Sequence, residues 1–286
     1  MRVTARLRRL LDRDQPLVAP GAYDAVSAKL VERAGFEAVY LTGFGTVASA
    51  YGLPDLGLAT MTEMAEHAAR VATAVSIPVL ADADTGYGNA LNVKRTVRAY
   101  ERSGVAGLHL EDQVSPKKCG HMAGKQVIPL DEMCGKLRAA LEARQDPDFV
   151  IIARTDAIAP VGFEAAIARA RAYLAVGADL AFVEAPATPD QLRQIPQRVG
   201  GPCLFNAVLS ERGALAPLAD LAASGYRLVI VPTATLWAAA AAVAATLAEL
   251  RQHGDLARLE QPMMSFREFV ELMGAPALEA EASRYG

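Results

Sequence analysis

Residues 79–111 read VLADADTGYGNALNVKRTVRAYERSGVAGLHLE. The segment contains two short apolar runs, at 79–83 and 107–110, and a helical pattern between them at 91–103. Gly104 directly follows that pattern, and a glycine in this position is typical of a helix C-terminus. The segment therefore predicts a strand, a helix and a second strand, each apolar run ending in an acid.

The same alternation continues on both sides of this segment. Further apolar runs lie at 17–19, 38–41, 150–153, 180–183, 203–205 and 228–231. Helical patterns follow at 24–34, 62–75, 131–144, 162–176, 189–195, 210–224 and 235–253. Eight such units with near-continuous apolar strands predict an α/β fold, a parallel (β/α)8 TIM-type barrel. The alternative is a doubly wound open sheet, but its glycine-rich fingerprint is absent after the first strand.

Length and composition agree with a single barrel. The chain has 286 residues, of which 52% are hydrophobic, and a barrel of this size forms one domain. We assign residues 1–254 to a catalytic barrel domain. Residues 255–286 form a C-terminal helical tail, whose apolar side chains exceed what closing a barrel requires. We expect the tail to pack on a partner subunit.

Charge and cysteine content narrow the partners and the compartment. A net charge of -3 gives no electrostatic case for nucleic acid. The three cysteines, Cys119, Cys134 and Cys203, indicate a reducing compartment without a disulfide framework. The alanine-rich run 236–250 is too short for a membrane span, so we expect a buried helix there. With no leader pattern at the start of the chain, these features predict a cytoplasmic protein that does not bind a membrane.

Polar residues mark the end of six consecutive predicted strands. They are Tyr40 and Thr42 with Gly43, then Asp82 and Asp84, Glu111, Arg154, Glu184 and Asn206. In a parallel barrel all of these strand ends open onto one face, where active sites are built. Any one of them could be a helix cap or a solvated loop residue, but repetition over six strands favours a site.

The acids among these residues predict a divalent cation. Asp82, Asp84 and Glu111 bring three carboxylates to one rim, and Asp55 in the loop at 53–55 could add a fourth. Such carboxylates would repel one another unless a cation or protons intervened. Oxygen ligands without paired histidines favour Mg²⁺ or Mn²⁺ over zinc. His109 is interpreted as a hydrogen-bonded core histidine.

A loop at 110–121 carries the most reactive group. It packs Lys117, Lys118, Cys119, Gly120 and His121 into consecutive positions after Pro116. Nearby positive charge favours thiolate over thiol, so we expect Cys119 to ionise more readily than an ordinary cysteine. The alternative for the loop taken alone is a solvated basic turn that happens to contain a cysteine.

With these motifs identified, the chain resembles the isocitrate lyase and phosphoenolpyruvate mutase superfamily over nearly its whole length. The segments that carry the resemblance are P-G-A-Y-D-A (20–25), T-G-F-G (42–45), G-L-P-D (52–55), D-A-D-T-G-Y-G (82–88), L-E-D-Q (110–113), K-K-C-G-H (117–121), A-R-T-D-A (153–157) and V-E-A-P (183–186). K-K-C-G-H is specific to the carbon–carbon lyases of the superfamily. The segments L-T-G-F (41–44) and F-R-E-F-V-E-L-M-G (266–274) look most like the 2-alkylmalate branch.

The resemblance implies roles for individual residues. Asp84 would hold Mg²⁺ (or Mn²⁺) most directly, with Asp82, Glu111 and Asp55 acting partly through water. Tyr40, Thr42, Gly43 and Phe44 would line a carboxylate pocket. Arg154 would neutralise charge on the C2 oxygen, Glu184 and Asn206 would orient the leaving fragment, and Gly120 would lie against the substrate. Cys119, assisted by Lys117 and His121, would protonate the carbanion, whereas the base could be Tyr40 or Glu184.

The implied reaction is a retro-aldol type cleavage. A small-molecule 2-hydroxy di- or tricarboxylate, of the 2-alkylmalate or 2-methylisocitrate type, would give a 2-keto acid and a carboxylate. The alternatives are an oxaloacetate hydrolase, a phosphoenolpyruvate or carboxyphosphonoenolpyruvate mutase-like enzyme, and a barrel that binds acids without turnover. Members of the superfamily exchange a helix between subunits, so the resemblance also implies a homotetramer.

Overall fold

The computed structural model describes residues 1–208, 214–255 and 262–286. Within these residues, eight parallel strands close into a barrel in the order in which they occur along the chain. The strands are β1 Leu17–Ala22, β2 Val39–Leu41, β3 Val79–Asp82, β4 Gly107–Glu111, β5 Val150–Thr155, β6 Leu180–Val183, β7 Cys203–Asn206 and β8 Tyr226–Val231. The predicted (β/α)8 barrel is confirmed.

Helices surround the barrel and extend beyond it. Up to β6, the described helices are α1 Val3–Leu11, α2 Ala25–Arg33, α3 Gly43–Tyr51, α4 Met61–Ala74, α5 Ala90–Ser103, α6 Leu130–Ala143, α7 Ile158–Val161 and α8 Phe163–Val176. After β6 they are α9 Pro189–Val199, α10 Leu218–Ser224, α11 Ala234–His253, α12 Phe266–Leu272 and α13 Ala275–Ala282.

Strand register places the polar residues beside one another. Glu111 on β4 is the register partner of Arg154 on β5. Asp82 on β3 is the partner of His109 on β4 in the same way. Because all strands run in one direction, their carboxyl ends form one rim, and the polar strand ends meet there.

The opposite end of the barrel is closed by α1. Leu7 and Leu10 of this amphipathic helix are almost fully buried and pack in the same cluster as Leu17, Ala38 and Val150. Each buried leucine stabilises the fold by about 1.5–3 kcal/mol relative to an exposed one. The apolar seal at this end leaves the carboxyl rim as the open end of the barrel.

Helix α9 runs through a proline, whereas the sequence prediction ended it at Ile195. Pro196 has no N–H to donate to the carbonyl of Leu192, four residues earlier. That carbonyl instead accepts a hydrogen bond of 2.8 Å from the Tyr226 hydroxyl at the start of β8. A side chain from another element thus replaces the missing backbone donor, and the helix continues to Val199.

Two further predictions about helices need correction. The predicted start of a helix at Ser210 lies outside the described residues, and α10 begins only at Leu218. Pro217 explains the late start, because a proline disfavours the helical conformation in the residue before it. The nine-residue helix α3 was not predicted at all.

The prediction of a buried helix at 236–250 is wrong for the single chain. Helix α11 spans 20 residues and has no buried residue. Val243 and Leu247, four residues apart, are more than half exposed, as are Phe266 and Leu278 of the following helices. Among the described residues, no helix is long and apolar enough to cross a membrane.

Candidate active site

A cavity of about 240 Å³ opens at the carboxyl rim of the barrel. Its lining combines polar and apolar side chains. The lining residues are Tyr40, Thr42, Phe44, Asp55, Asp82, Lys117, Cys119, Gly120, His121, Arg154, Glu184, Asn206, Val208, Pro232, Thr233 and Trp237. Of the predicted site residues, all line this cavity except Gly43, Asp84 and Glu111, which lie directly behind the wall.

The N-terminus of α3 faces this cavity. Thr42 caps the helix, and its Oγ1 accepts a hydrogen bond of 3.2 Å from the Gly45 amide. A side chain at Gly43 would collide with Asp82, because an added Cβ would lie 2.5 Å from Asp82 Oδ2. The first amides of a helix have no partner within it and attract anions. The first turn of α3 therefore offers backbone donors suited to a carboxylate.

Behind the wall, the acids of β3 and β4 are closely linked. Asp84 adopts a left-handed backbone conformation with φ 46°, and its amide donates 3.0 Å to Asp82 Oδ1. The Glu111 amide in turn donates 2.9 Å to the carbonyl of Asp84. Backbone strain of this kind concentrates at functional sites. The ends of two neighbouring strands are thereby held together with their carboxyl groups close.

The electrostatics of these acids call for positive charge. Burial raises the pKa of Asp84 to about 6, with the charges of Asp82 and Asp55 adding to the effect and Lys117 opposing it. Burial also raises the pKa of Glu111 well above its ordinary value, because Arg154 offsets it only partly. Lys117 Nζ lies 2.7 Å from Asp84 Oδ1 and also pairs with Asp55.

The donor set fits a magnesium ion without forming a complete ligand shell. Among the described residues, no three His, Cys, Asp or Glu side chains are arranged to enclose a metal. Both side-chain oxygens of Glu111 are buried without a hydrogen-bond partner among those residues. Mg²⁺ keeps several waters and needs only one or two direct carboxylates. Oxygen donors with unused bonding capacity and raised pKa values meet that requirement.

Arg154, which also lines the cavity, is fixed by neighbouring carboxylates. Its Nε and Nη2 donate to the two oxygens of Asp156, at 2.8 and 3.1 Å. Its Nη1 lies 3.3 Å from Glu111 Oε2, and its Nη2 lies 3.8 Å from Glu184 Oε1. Although burial opposes ionisation of Glu184, the charge of Arg154 holds the pKa of that carboxyl well below its usual range. Arg154 is thus a buried cation whose planar group is aimed by carboxylates.

Glu184 also organises the residues predicted to hold the leaving fragment. Asn206 Nδ2 donates 3.2 Å to both of its oxygens. His121 Nε2 lies 3.2 Å from Glu184 Oε1. The predicted residues from strands β6 and β7 and from the 110–121 loop therefore meet at a single carboxylate.

Cys119 lies over the cavity in a closed loop. Its amide donates 3.1 Å to the carbonyl of Asp55. The prediction that Cys119 ionises readily is wrong, because burial raises the pKa of its thiol. The expected effect of Lys118 is absent, since its ammonium lies 3.5 Å from the carbonyl of Gly124, on the exposed side of the loop. Cys119 is thus a thiol in this conformation.

Tyr40 is linked to His109 inside the barrel. The Tyr40 hydroxyl lies 2.8 Å from His109 Nε2, and this nitrogen lies 3.4 Å from Asp82 Oδ1. Burial lowers the pKa of His109 to about 4, which favours the neutral imidazole in this contact. The interpretation of His109 as a hydrogen-bonded core histidine agrees with this geometry.

The sequence prediction missed several uncharged residues that line the cavity and one buried acid. Val208 follows the end of β7, while Pro232 and Thr233 follow β8. Their position at strand ends was a usable signal, but they carry no charge to attract attention. Asp112 received no role from the sequence, yet it is fully buried and accepts four hydrogen bonds. The donors are Thr155 Oγ1, the Asp156 amide, Arg169 Nη1 and the Tyr173 hydroxyl.

Comparisons with known proteins agree with this geometry. Residues 7–251 match the family model described as phosphoenolpyruvate phosphomutase. The chain is 45% identical to 2,3-dimethylmalate lyase of Eubacterium barkeri, over all of this chain and 99% of that protein. It is 40% identical to 2-methylisocitrate lyase of Shewanella oneidensis, over 96% of this chain and 94% of that protein.

Solved structures resemble the chain equally well. A crystal structure of 2,3-dimethylmalate lyase, described as a PEP mutase/isocitrate lyase superfamily member, aligns with a TM-score of 0.93 and 38% identity, covering 100% of this chain and 96% of that one. Oxaloacetate acetylhydrolase bound to 3,3-difluorooxalacetate has the same TM-score at 39% identity, covering 99% and 97%. Phosphonopyruvate hydrolase in complex with oxalate and Mg²⁺ aligns with a TM-score of 0.88 at 33% identity, covering 100% and 99%.

These similarities support an enzyme, and specifically one of the carbon–carbon lyase type, as the resemblance to the K-K-C-G-H motif implied. The match extends across the barrel and the rim that carries the cavity. The chain belongs to the phosphoenolpyruvate phosphomutase family, within the isocitrate lyase and phosphoenolpyruvate mutase superfamily.

Proposed function

We propose that this protein is a Mg²⁺-dependent lyase that cleaves the C2–C3 bond of a 2-alkylmalate, giving a 2-keto acid and a carboxylate. The observation that supports the proposal is the mixed lining of the cavity. Asp82, Arg154 and Cys119 line it together with the apolar side chains of Val208, Pro232 and Trp237. The polar groups suit a 2-hydroxy acid, and the apolar groups suit an alkyl substituent.

Substrate binding begins with the C1 carboxylate. The first amides of α3, at Gly43 and Phe44, and the Thr42 hydroxyl would receive it. Asp84 would hold Mg²⁺ most directly, with Asp82, Glu111 and Asp55 acting partly through water. When bound, the ion would offset negative charge on the substrate. Arg154 would oppose the same charge.

Tyr40 is our choice for the group that takes the proton of the 2-hydroxyl. As the C2–C3 bond breaks, the hydroxyl proton passes to the Tyr40 oxygen, and the Tyr40 proton passes to His109 Nε2 at 2.8 Å. Asp82, at 3.4 Å, would stabilise the resulting imidazolium. Glu184 is less suited, because both of its oxygens already accept from Asn206 and one also contacts His121.

Cys119 would complete the reaction by protonating the departing enolate. The raised pKa of the buried thiol keeps its proton in place until the carbanion forms. Lys117 and His121 would then stabilise the thiolate, while Gly120 lets the loop pass close to Arg154. Afterwards the proton on His109 passes to solvent, and solvent returns a proton to the Cys119 thiolate. Glu184 and Asn206 would orient the leaving carboxylate.

The decisive experiment measures keto acid release from a panel of 2-hydroxy diacids in the presence of Mg²⁺. Release of pyruvate from 2,3-dimethylmalate, or of 2-oxobutanoate from 2-ethylmalate, above that of pyruvate from 2-methylisocitrate would support the proposal. Release of oxalate and acetate from oxaloacetate as the main activity would favour a hydrolase. Turnover of a phosphonate alone would favour a mutase, and binding without turnover would contradict any enzyme.

We further propose that residues 1–254 form the catalytic domain of a cytoplasmic homotetramer, with residues 255–286 packing on a partner subunit. The exposed apolar side chains of α11, α12 and α13 support an assembly, because monomeric proteins rarely expose so much apolar surface. The three unpaired cysteines support a reducing compartment.

A further inference from the structure

Lys125 is a buried cation that lies just beyond the K-K-C-G-H motif. Its side chain is 3% exposed, and its Nζ donates to the carbonyl of Gly120 and, at 2.8 Å, to Asp156 Oδ1. A lysine is almost never buried unless it is paired. Its two acceptors belong to different parts of the site, since Gly120 follows Cys119 in the loop and Asp156 follows β5.

The carboxylate that binds Lys125 is the same one that aims Arg154. Asp156 Oδ1 accepts from both Lys125 Nζ and Arg154 Nη2, and Asp156 Oδ2 accepts from Arg154 Nε. The Asp156 amide is fixed by Asp112 at 2.9 Å. Lys125 and Arg154 therefore share one carboxylate, and loss of Lys125 removes one of the groups that fix the carboxylate aiming the Arg154 guanidinium.

The contact at Gly120 matters because the loop fits tightly there. An added Cβ at Gly120 would lie 2.3 Å from Arg154 Nη2 and 2.4 Å from Glu184 Oε1. On its other side, the loop borders a second cavity of about 640 Å³, lined among others by Met122, Phe163 and Gln191. The loop thus has room to withdraw, and the hydrogen bond from Lys125 to the Gly120 carbonyl opposes that movement.

We infer that Lys125 is a positioning residue that holds the catalytic loop closed over the cavity and, through Asp156, aligns Arg154 with it. The expected loss of lyase turnover rests on the proposed function, whereas the expected opening of the loop does not. When Lys125 releases Gly120, the loop withdraws and exposes the Cys119 thiol. Loop closure and arginine alignment are therefore coupled through a single ammonium group.

The test is the rate of alkylation of Cys119 by iodoacetamide, followed by peptide mass spectrometry, in Lys125→Met and the wild type. We expect the rate in the variant to rise about tenfold or more, because the open loop exposes the thiol. Oxalate with Mg²⁺ should slow alkylation in the wild type and much less in the variant. In the lyase assay, kcat should fall on the order of 10²-fold, as expected for misplaced catalytic groups, with a smaller change in KM.

Two control variants separate this role from simple loss of stability. Lys118→Met removes a cation from the exposed side of the same loop and should leave Cys119 alkylation unchanged. Lys136→Met removes another buried lysine, which donates 3.1 Å to the Thr85 carbonyl. It should lower the melting temperature without accelerating alkylation of Cys119. Lys125→Gln, which keeps an N–H donor but no charge, serves if Lys125→Met does not fold, and should accelerate alkylation less.

Each outcome bears on the inference separately from the proposed function. Wild-type alkylation rates in folded Lys125→Met or Lys125→Gln would overturn it, as would equal acceleration in Lys136→Met. If the wild type has no lyase turnover, the proposed function fails while the alkylation comparison still decides whether Lys125 holds the loop.

Discussion

The amide of Cys119 donates a 3.1 Å hydrogen bond to the backbone carbonyl of Asp55. The side chain of Asp55 meanwhile pairs with Lys117 of the same loop. The loop that carries the thiol and the loop that carries a proposed metal ligand are thus joined twice. Opening of the catalytic loop would break both contacts together, so the acid and the cation site form or separate as one unit.

The metal proposal predicts the behaviour of Asp84. Asp84→Ala should abolish turnover, since it removes the carboxylate with the most direct proposed contact to Mg²⁺. The fold should persist, because the backbone links of Asp84 to Asp82 and Glu111 do not need its side chain. Turnover, circular dichroism and Mg²⁺ titration would be measured together. Full activity of the wild type in excess chelator would contradict the proposal.

The proposed acid predicts the effect of Cys119→Ser. A hydroxyl protonates a carbanion poorly, so we expect a loss of lyase turnover on the order of 10²–10⁴-fold. KM should change little, because the carboxylate and the C2 oxygen contact other residues. Cys134→Ser, which alters a buried cysteine on α6, is the control and should retain turnover. Wild-type turnover in Cys119→Ser would exclude the thiol as the acid.

The raised pKa of Cys119 predicts a shift in pH dependence. A thiol with a raised pKa stays protonated at pH values where an ordinary thiol, of pKa about 8.5, has ionised. In a profile of kcat against pH, lyase turnover of the wild type should therefore fall only above pH about 8.5. If turnover of the wild type fell at a much lower pH, and Cys119→Ser did not show that fall, the thiol would be one that ionises readily.

The apolar residues that line the cavity predict a difference in kcat/KM between substrates with and without an alkyl group. In Trp237→Ala, kcat/KM for 2-ethylmalate should fall about 10–200-fold, the range for lost apolar contacts in a pocket. For malate, which has no alkyl group to contact the wall, the fall should be within a few fold. Trp237→Phe should retain the preference of the wild type. Equal losses for both acids would mean that Trp237 does not contact the alkyl group.

The exposed helix α11 predicts an assembly that charge can break. Val243→Asp with Leu247→Asp should dissociate the proposed homotetramer, since both side chains are exposed and apolar on one face. Sedimentation velocity at micromolar concentration would measure the species. Leu91→Asp changes an exposed leucine on α5 and should leave the assembly intact. A monomeric wild type would refute the proposed tetramer.

Most of the fold was readable because its signals are local. Apolar runs, with glycine after several of the helical patterns, mark the strands and most helices. Helix α3 escaped because it is short, begins at Gly43 and follows its strand without a loop. The continuation of α9 past Pro196 could not be predicted either, because its compensating donor, Tyr226, is 34 residues from the carbonyl it satisfies.

The polar residues of the cavity could also be predicted from the sequence, since each strand end brings its residue to the rim. The raised pKa of Cys119 could not be predicted, because the sequence shows the neighbouring lysines but not the burial that outweighs them. Lys125 escaped for a related reason. Its partner Asp156 lies 31 residues away, and only the closed barrel brings the two together.

The bond between Tyr226 and Leu192 has a consequence for how this chain can vary through evolution. The hydroxyl at 226 is needed only while residue 196 lacks an N–H, and proline at 196 is tolerated only while that hydroxyl is present. The dependence runs one way, because a carbonyl oxygen can accept two hydrogen bonds, whereas a buried one left with none is costly. Relatives with proline at 196 are therefore expected to keep the tyrosine, whereas relatives with another residue at 196 are free to vary at position 226, although neither position has a catalytic role.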